Sequence, residues 1–364
     1  MVREAGRVGY RNQFEEPELP ASKITLSSKP VSPHKSFSNP DFKAKAAHVT
    51  DRFQYVDMWL RQSGDDGKAA LVYWRQAANF YRANLAVDEL AKPLTSYYCI
   101  LNMVKALLVS KGQNMARIQH GVSGYSIGTK TALSNEIVKF KFSGVLPYLS
   151  RFFEEPVSGI DECNLLDLLY NLPHIHRAYC MTIPSRKNKE LYIPLKDCGF
   201  YRVDGTSECF FRGYLTSGWS IQRTGRKLPA GFEFDPTTED GVLAVRRKKR
   251  FRWEGRSETV KLENLGNYHK KLRRKVYQIH DAPGQWYLKR DAAGGISEGL
   301  VEKNPTVIAF AAMHRLSELS RYDPDKLSRH FNNRYGWLLS EFLMRTLDQV
   351  LDDLASEITG SEVK

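Results

Sequence analysis

The chain has no run of about 18 apolar residues, which excludes a hydropathy-defined membrane-spanning helix. Its opening stretch, MVREAGRVGYRNQFEEPELP, has no apolar core of the kind a secretory signal needs, so a cytoplasmic protein is expected. Cysteine is scarce and scattered: Cys99, Cys163, Cys180, Cys198 and Cys209, an odd number with no C-x-x-C pair. That excludes a disulfide framework and a zinc knuckle and predicts reduced thiols. The sequence also has no G-x-x-x-x-G-K-[ST], G-x-G-x-x-G or H-E-x-x-H. Nucleotide hydrolysis, dinucleotide binding and zinc proteolysis therefore have no motif to rest on. No metal and no cofactor is expected. His174 and His176 flank Ile175, but further ligands (Asp161, Glu162 and Asp167) lie a helix away, so ordinary surface imidazoles are expected. No repeat of about 20–50 residues is present.

What is there is length, apolar content and positive charge. The 364 residues suit two domains, and 42% hydrophobic and 12% aromatic residues suffice for a sizeable core. The formal charge is +13. The window from Arg246 to Arg290 holds 15 Lys and Arg against 4 Asp and Glu, a surplus of 11 in one eighth of the chain. Such an excess points to a polyanionic partner.

Four segments follow from the patterning. Residues 1–48, rich in Ser, Pro and Lys, read as an extended arm rather than a packed element. Residues 49–180 read as a helical block. Thr50-Asp51 signals a helix start, and Leu71, Trp74, Ala78, Tyr81 and Leu85 form an apolar stripe. The helix through LTSYYCILNMVKALLVSKG is apolar on most faces, with Gly112 at its end. A further helix is expected over 158–179, stopped by Pro173. Residues 181–292 alternate in short β-rich stretches and read as a basic β insert. Residues 293–364 return to helices, with Asn304-Pro305 as a start and Trp337, Leu338, Phe342, Leu343 and Leu347 as a stripe. The expected fold is α+β: one helical bundle built from both chain ends, carrying a mostly β basic insert.

Several residues are candidates for function. Tyr97, Tyr98, Asn102 and Lys105 put polar groups on the most apolar helix. They form either a buried polar network, or a satisfied core amide with a lysine reaching solvent. Arg246, Arg247, Lys248, Lys249, Arg250 and Arg252 interleave with Phe251 and Trp253, and Lys270, Lys271, Arg273, Arg274 and Lys275 form a second run. Cations contact phosphate and aromatic rings stack on bases, so nucleic acid, RNA or DNA, is the expected partner. An acidic protein partner and a solvated basic sheet edge are the alternatives.

The segment Ser96–Leu108, followed by Gly112 and His120-Gly121, resembles the HEPN superfamily, whose helices read as Tyr-Tyr, an apolar run ending Ala-Leu-Leu, a Gly and a later His-Gly. With LLDLLYNLPHI, LSELSRYDP and YGWLLSEFL, the chain from about 50 to 350 resembles the YaaC-like family of bacterial proteins. The resemblance implies a HEPN-like helical core in a bacterial cytoplasm. It also implies a place among RNA binders and ribonucleases of defence or stress systems. The nuclease form of HEPN carries an Arg and a His four to six residues apart on one helix. Here Arg274 and His280 fit the spacing but lie in a strand-like stretch. Arg117 and His120 are too close, and Arg321 and His330 too far apart with Pro324 between them. A composite catalytic site of His120 with Arg117, Arg321 and Tyr322 remains, as does a structural use of Arg321 on helix carbonyls or Asp323. The expectation is a nucleic-acid-binding component without that motif. A metal-independent ribonuclease is the first alternative, and a scaffold subunit in a multi-subunit complex or homo-oligomer the second.

Overall fold

The computed structural model describes residues 19–157, 159, 161–186, 189–216, 228–238, 242–255 and 257–363. The first 18 residues of the expected arm, Arg256 and the stretch 217–227 of the insert lie outside the described residues. The chain is α+β, 45% helical and 18% strand, with a curled antiparallel sheet. No helix is long and apolar enough to cross a membrane among the described residues.

Helices α1 (Arg52–Gln62), α2 (Gly64–Ala86) and α3 (Lys92–Ser110) follow one another. Asp51 starts α1 as expected, its Oδ1 accepting from the N–H groups of Phe53 at 2.8 Å and Gln54 at 3.1 Å. Next come β4 (Val122–Ser126), β5 (Glu136–Phe140), α4 (Val145–Phe152), β6 (Asp161–Asn164), α5 (Leu165–Tyr170) and α6 (His176–Thr182). The single helix expected over 158–179 is therefore a strand and two short helices. Asn164 caps α5, and Asn171 with Pro173 interrupts the helix before α6. Strands β4, β5 and β6 form a small antiparallel sheet.

The chain ends with α8 (Pro305–Tyr322), α9 (Pro324–Phe331) and α10 (Gly336–Thr359). Asn304 caps α8 through Thr306 N–H at 2.9 Å, with Pro305 at the first helical position. Helix α3 packs against α2, α8 and α10, so both chain ends close one core. Trp74, Tyr97, Ile100, Phe310 and Phe342 lie in it, each below 2% exposed. Burying side chains of that size contributes roughly 1.5–3 kcal/mol each. Two stripe members face outward instead: Leu85 is 71% and Trp337 49% exposed.

The larger sheet has eight strands. Its main path is β12 (Val276–Gln278), β13 (Trp286–Lys289), β7 (Tyr192–Val203), β8 (Glu208–Leu215), β10 (Ala244–Arg247), β9 (Phe232–Phe234). β11 (Phe251–Arg252) pairs with β8, and β1 (Ala21–Lys23) from the arm pairs with β7. The insert is not all β. Helix α7 (Glu258–Leu272) crosses one face, with Leu265, Tyr268 and Leu272 in a second core beside Ile193, Phe200, Phe211 and Leu288.

The described part of the arm is packed, contrary to expectation. A short hairpin, β2 (Thr25–Leu26) with β3 (Lys29–Pro30), leads to His34, Lys35, Ser36 and Phe37, all buried. These four residues are held from two directions. Glu357 on α10 accepts from Ser36 Oγ at 3.0 Å, Ser38 N–H at 3.1 Å and Phe37 N–H. His34 N–H donates to His269 Nε2 on α7 at 3.0 Å, and Arg273 donates to the Lys35 carbonyl at 3.0 Å. Lys35 pairs with Asp352 at 2.7 Å. The arm is thus the polar seam between the sheet unit and the bundle.

Asp353 lies in the same seam, where burial pushes its carboxyl up to about 7, against a partly offsetting hydrogen bond from Gln349. The folded state then keeps a proton that the unfolded chain has released above about pH 4. Stability from this group is lost as pH rises from about 4 to 7, and the loss is flat above that. Asp353 keeps some solvent contact, so Asp353→Asn is expected to gain about 1–2 kcal/mol at pH 8 and about nothing at pH 4. Urea unfolding at the two pH values checks this, and an equal shift at both would reject it.

Candidate functional site

On α3, the notable polar groups divide by face. Asn102 is a satisfied amide, donating to the Tyr98 carbonyl at 2.7 Å. Tyr98 stacks on Phe80 with centroids 5.3 Å apart. Lys105 lies 5.5 Å from the Tyr73 ring centroid, and burial lowers its pKa. Tyr97 is fully buried and points across the core to His120, so the four residues do not form one network. Its hydroxyl and His120 Nδ1 share a hydrogen bond, and the two rings stack at 5.4 Å.

A tight turn sets His120 there. Gly121 has φ +79°, which an L side chain rarely adopts, and a Cβ at that position would run into Pro147 and the Ser143 carbonyl. His120 carbonyl accepts from Leu146 N–H at 3.0 Å, and Gly121 carbonyl from Lys141 N–H at 3.0 Å. The imidazole is half-buried. Burial lowers its pKa first, and the charges of Arg321, Lys105 and Lys141 lower it further. At neutral pH the ring is therefore neutral. A Tyr97 hydroxyl donating to Nδ1 leaves the ring proton on Nε2, and the other tautomer leaves Nε2 as a base.

His314 on α8 completes the cluster, edge-on to Tyr97 at 4.9 Å and to His120 at 5.7 Å. Burial, with the neighbouring His120, Arg321, Arg315 and Lys141, drops its pKa to about 3. Its Nδ1 has no hydrogen-bond partner and lies 3.7 Å from Glu318 Oε1. Arg321 lies at the end of the same helix. Its Nε donates to the Ser317 carbonyl at 3.2 Å, the structural use anticipated, and its guanidinium lies 5.0 Å from the exposed Tyr322 ring. The structure thus brings Arg321 within electrostatic reach of His120 without direct contact. Arg117 is exposed in the turn before His120, at φ +55°, and is not among the charges acting on that imidazole. Among the described residues, Lys105, Arg117, Lys141 and Arg321 form no ion pair.

Behind His314 sits a buried charge network. Glu136, wholly buried, takes Arg315 at 2.7 Å, His330 Nε2 at 3.1 Å, Ser126 Oγ at 2.8 Å and Lys326 at 3.5 Å. These bonds outweigh its burial and hold its pKa down to about 2. Arg315 also pairs with Glu318 at 2.9 Å, and Glu318 accepts from Gly124 N–H at 3.2 Å. The network fixes α8 against β4 and β5, where His120 enters.

The basic run is placed differently. Arg246 is buried and paired with Glu233 at 2.8 Å. Arg247 stacks on Tyr268 and donates to its carbonyl. Lys248 reaches Glu233 at 3.7 Å, Arg250 pairs with Glu208 at 2.7 Å, and Arg252 with Glu254 at 3.0 Å. Trp253 packs against the second core. Lys270 and Arg274 share Glu154 at 2.5 and 2.9 Å, and Lys275 takes Asp291 at 2.9 Å. Arg273 is buried, donating to carbonyls. Among the described residues, Lys249 and Lys271 are the two of these twelve that are exposed and form no ion pair. The second run also lies at the end of a helix and in the turn after it, not on a β edge.

Arg274 and His280 have separate partners, Glu154 and Asp352 respectively. His174 and His176 are buried, not on the surface as expected. His174 Nε2 meets Thr346 Oγ1 at 3.0 Å, and His176 Nε2 accepts from Leu191 N–H at 2.9 Å. No group of three or more His, Cys, Asp or Glu is arranged to hold a metal among the described residues. All five cysteines are unpaired thiols. His314, Glu318 and Glu136 were not singled out from the sequence. His314 falls within an apolar helix and reads there as a core residue.

No curated protein and no solved structure matches the chain. A family model described as YaaC-like protein matches residues 35–358. That match spans most of the helical bundle, the sheet and the His120 turn, and the chain belongs to the YaaC-like family.

Proposed function

We propose that the chain is a nucleic-acid-binding protein whose phosphate contacts centre on the His120 basin rather than on the arginine-rich run. One observation carries this reading. The cations of the run are mostly matched by carboxylates or buried, whereas Lys105, Lys141 and Arg321 act on His120 with no carboxylate of their own. Uncompensated cations are the ones that release counterions when phosphate binds. The HEPN-like reading of the bundle is supported by α3, α8 and α10 sharing one core. Membership of a defence or stress system rests on the HEPN resemblance alone. An acidic protein partner is the competing reading.

Metal-independent ribonuclease activity is the second reading. A neutral imidazole beside a guanidinium supports it, because the cation can hold phosphate while the ring takes a proton from the 2′-hydroxyl.

Labelled single-stranded RNA and duplex DNA, titrated across a salt series with product length read on the same samples, test both. Lys141→Ala with Arg321→Ala is expected to weaken binding at least tenfold and to reduce the salt slope by about 2. Charge reversal at Lys249 and Lys271 is expected to do less. A double variant that binds like the wild type ends the basin reading. Shortened RNA that disappears in His120→Ala establishes the nuclease, and intact RNA retires it.

A further inference from the structure

Two exposed aromatic rings adjoin the cations that act on His120, and the phosphate contacts leave them unused. Phe142, next in sequence to Lys141, is 63% exposed, and Tyr322, next to Arg321, is 77% exposed. An aromatic ring that open loses the apolar burial that usually holds it in place. Both lie on fixed backbone. The Phe142 carbonyl accepts from Arg151 at 3.0 Å, and Tyr322 ends α8 with the Arg321 guanidinium 5.0 Å from its ring centroid. They come from different elements, the β5–α4 turn and the end of α8, yet each adjoins a cation placed beside His120: Lys141 N–H donates to the Gly121 carbonyl at 3.0 Å, and Arg321 lies two turns along α8 from His314, whose ring centroid is 5.7 Å from that of His120.

Cations that form no ion pair among the described residues, next to exposed rings, match one ligand chemistry. The cations take phosphate, and the rings take the faces of bases. In a duplex those faces are covered by neighbouring base pairs. We infer that the His120 basin binds single-stranded nucleic acid, with phosphate at Lys141 and Arg321 and unpaired bases stacked on Phe142 and Tyr322. The inference rests on the phosphate reading above and adds strandedness to it. Base stacking on a protein ring is tolerant of sequence, so little base preference is expected.

The test uses the full chain and three probes: a labelled oligoribonucleotide of mixed sequence, the same strand annealed to its complement, and inorganic polyphosphate. The single strand is expected to bind about tenfold tighter than the duplex. Phe142→Ala and Tyr322→Ala are each expected to weaken single-strand binding about tenfold and leave polyphosphate unchanged. Tyr322→Phe is expected to keep the affinity, since the ring carries the effect. Both positions are exposed, so thermal melting should match the wild type. Equal affinity for strand and duplex overturns the inference, as do alanine variants that bind the strand unchanged. Failure of all three probes overturns the phosphate reading itself, and this inference with it.

Discussion

Asp352→Ala is expected to destabilise the fold by about 3–5 kcal/mol, enough to unfold much of the protein under mild denaturant. Asp352 is 1% exposed and receives three partners from three segments. These are Lys35 of the arm at 2.7 Å, Arg52 of α1 at 2.8 Å and His280 after β12 at 2.7 Å. Burial alone would raise its pKa, but these partners hold it down to about 2. Alanine leaves the Lys35 ammonium, 5% exposed, with only the Val363 carbonyl at 3.2 Å. Arg52 keeps Asp348, so the cost falls mainly on the lysine. The double variant Lys35→Met, Asp352→Leu removes both charges and is expected to recover most of the loss. Urea unfolding of the wild type, the single and the double variant decides. A single variant within about 1 kcal/mol of the wild type means that the seam does not depend on this carboxylate.

The bundle was legible because its signal is local. Apolar residues three and four apart, a Thr-Asp start and an Asn-Pro start mark helices whatever they pack against. The stripes misled only at their edges: Leu85 and Trp337 satisfy the spacing but lie just outside the buried arc. Helix α7 was missed although Ser257 caps it and Leu265, Tyr268 and Leu272 keep helical spacing. Its few apolar residues sit among Lys, Glu and Asn, and a basic run at its end drew it into the β reading.

Charge was legible as a total and not as a set of pairs. Lys270 and Arg274 look like free cations until the fold sets Glu154 beside them from well over a hundred residues away. The same applies to Lys35 and Asp352, at opposite ends of the chain. His120 and Tyr97 stood out separately, through a His-Gly turn and a Tyr-Tyr pair. Their contact depends on how the loop after α3 folds back, and spacing along the chain does not encode that. His314 carries no local signal, since a histidine on an apolar helix face looks the same whether it lines a site or fills a core.

Glu136→Ala is expected to cost a similar 3–5 kcal/mol and, unlike Asp352→Ala, to disturb the basin. Glu136 is the anion that lets Arg315 and Lys326 sit buried, at 6% and 7% exposure, around the wholly buried His330. Without it Arg315 retains Glu318 and the Ser126 hydroxyl at 2.9 Å, and Glu318 is the carboxylate beside His314 Nδ1. An anion lost at one end of this chain of contacts leaves excess positive charge at the other, next to His120. Glu136→Gln keeps the shape and the acceptor oxygen, so it is expected to cost less, about 1–3 kcal/mol. The pH dependence separates charge from shape. The folded carboxyl titrates at about 2, well below its unfolded value, so its stabilisation is complete above about pH 4.5 and fades as pH falls toward 2. The gap between wild type and Glu136→Gln should therefore narrow between pH 5 and about pH 3. A gap that stays constant would place the loss in packing, and would free the basin's electrostatics from any dependence on Glu136.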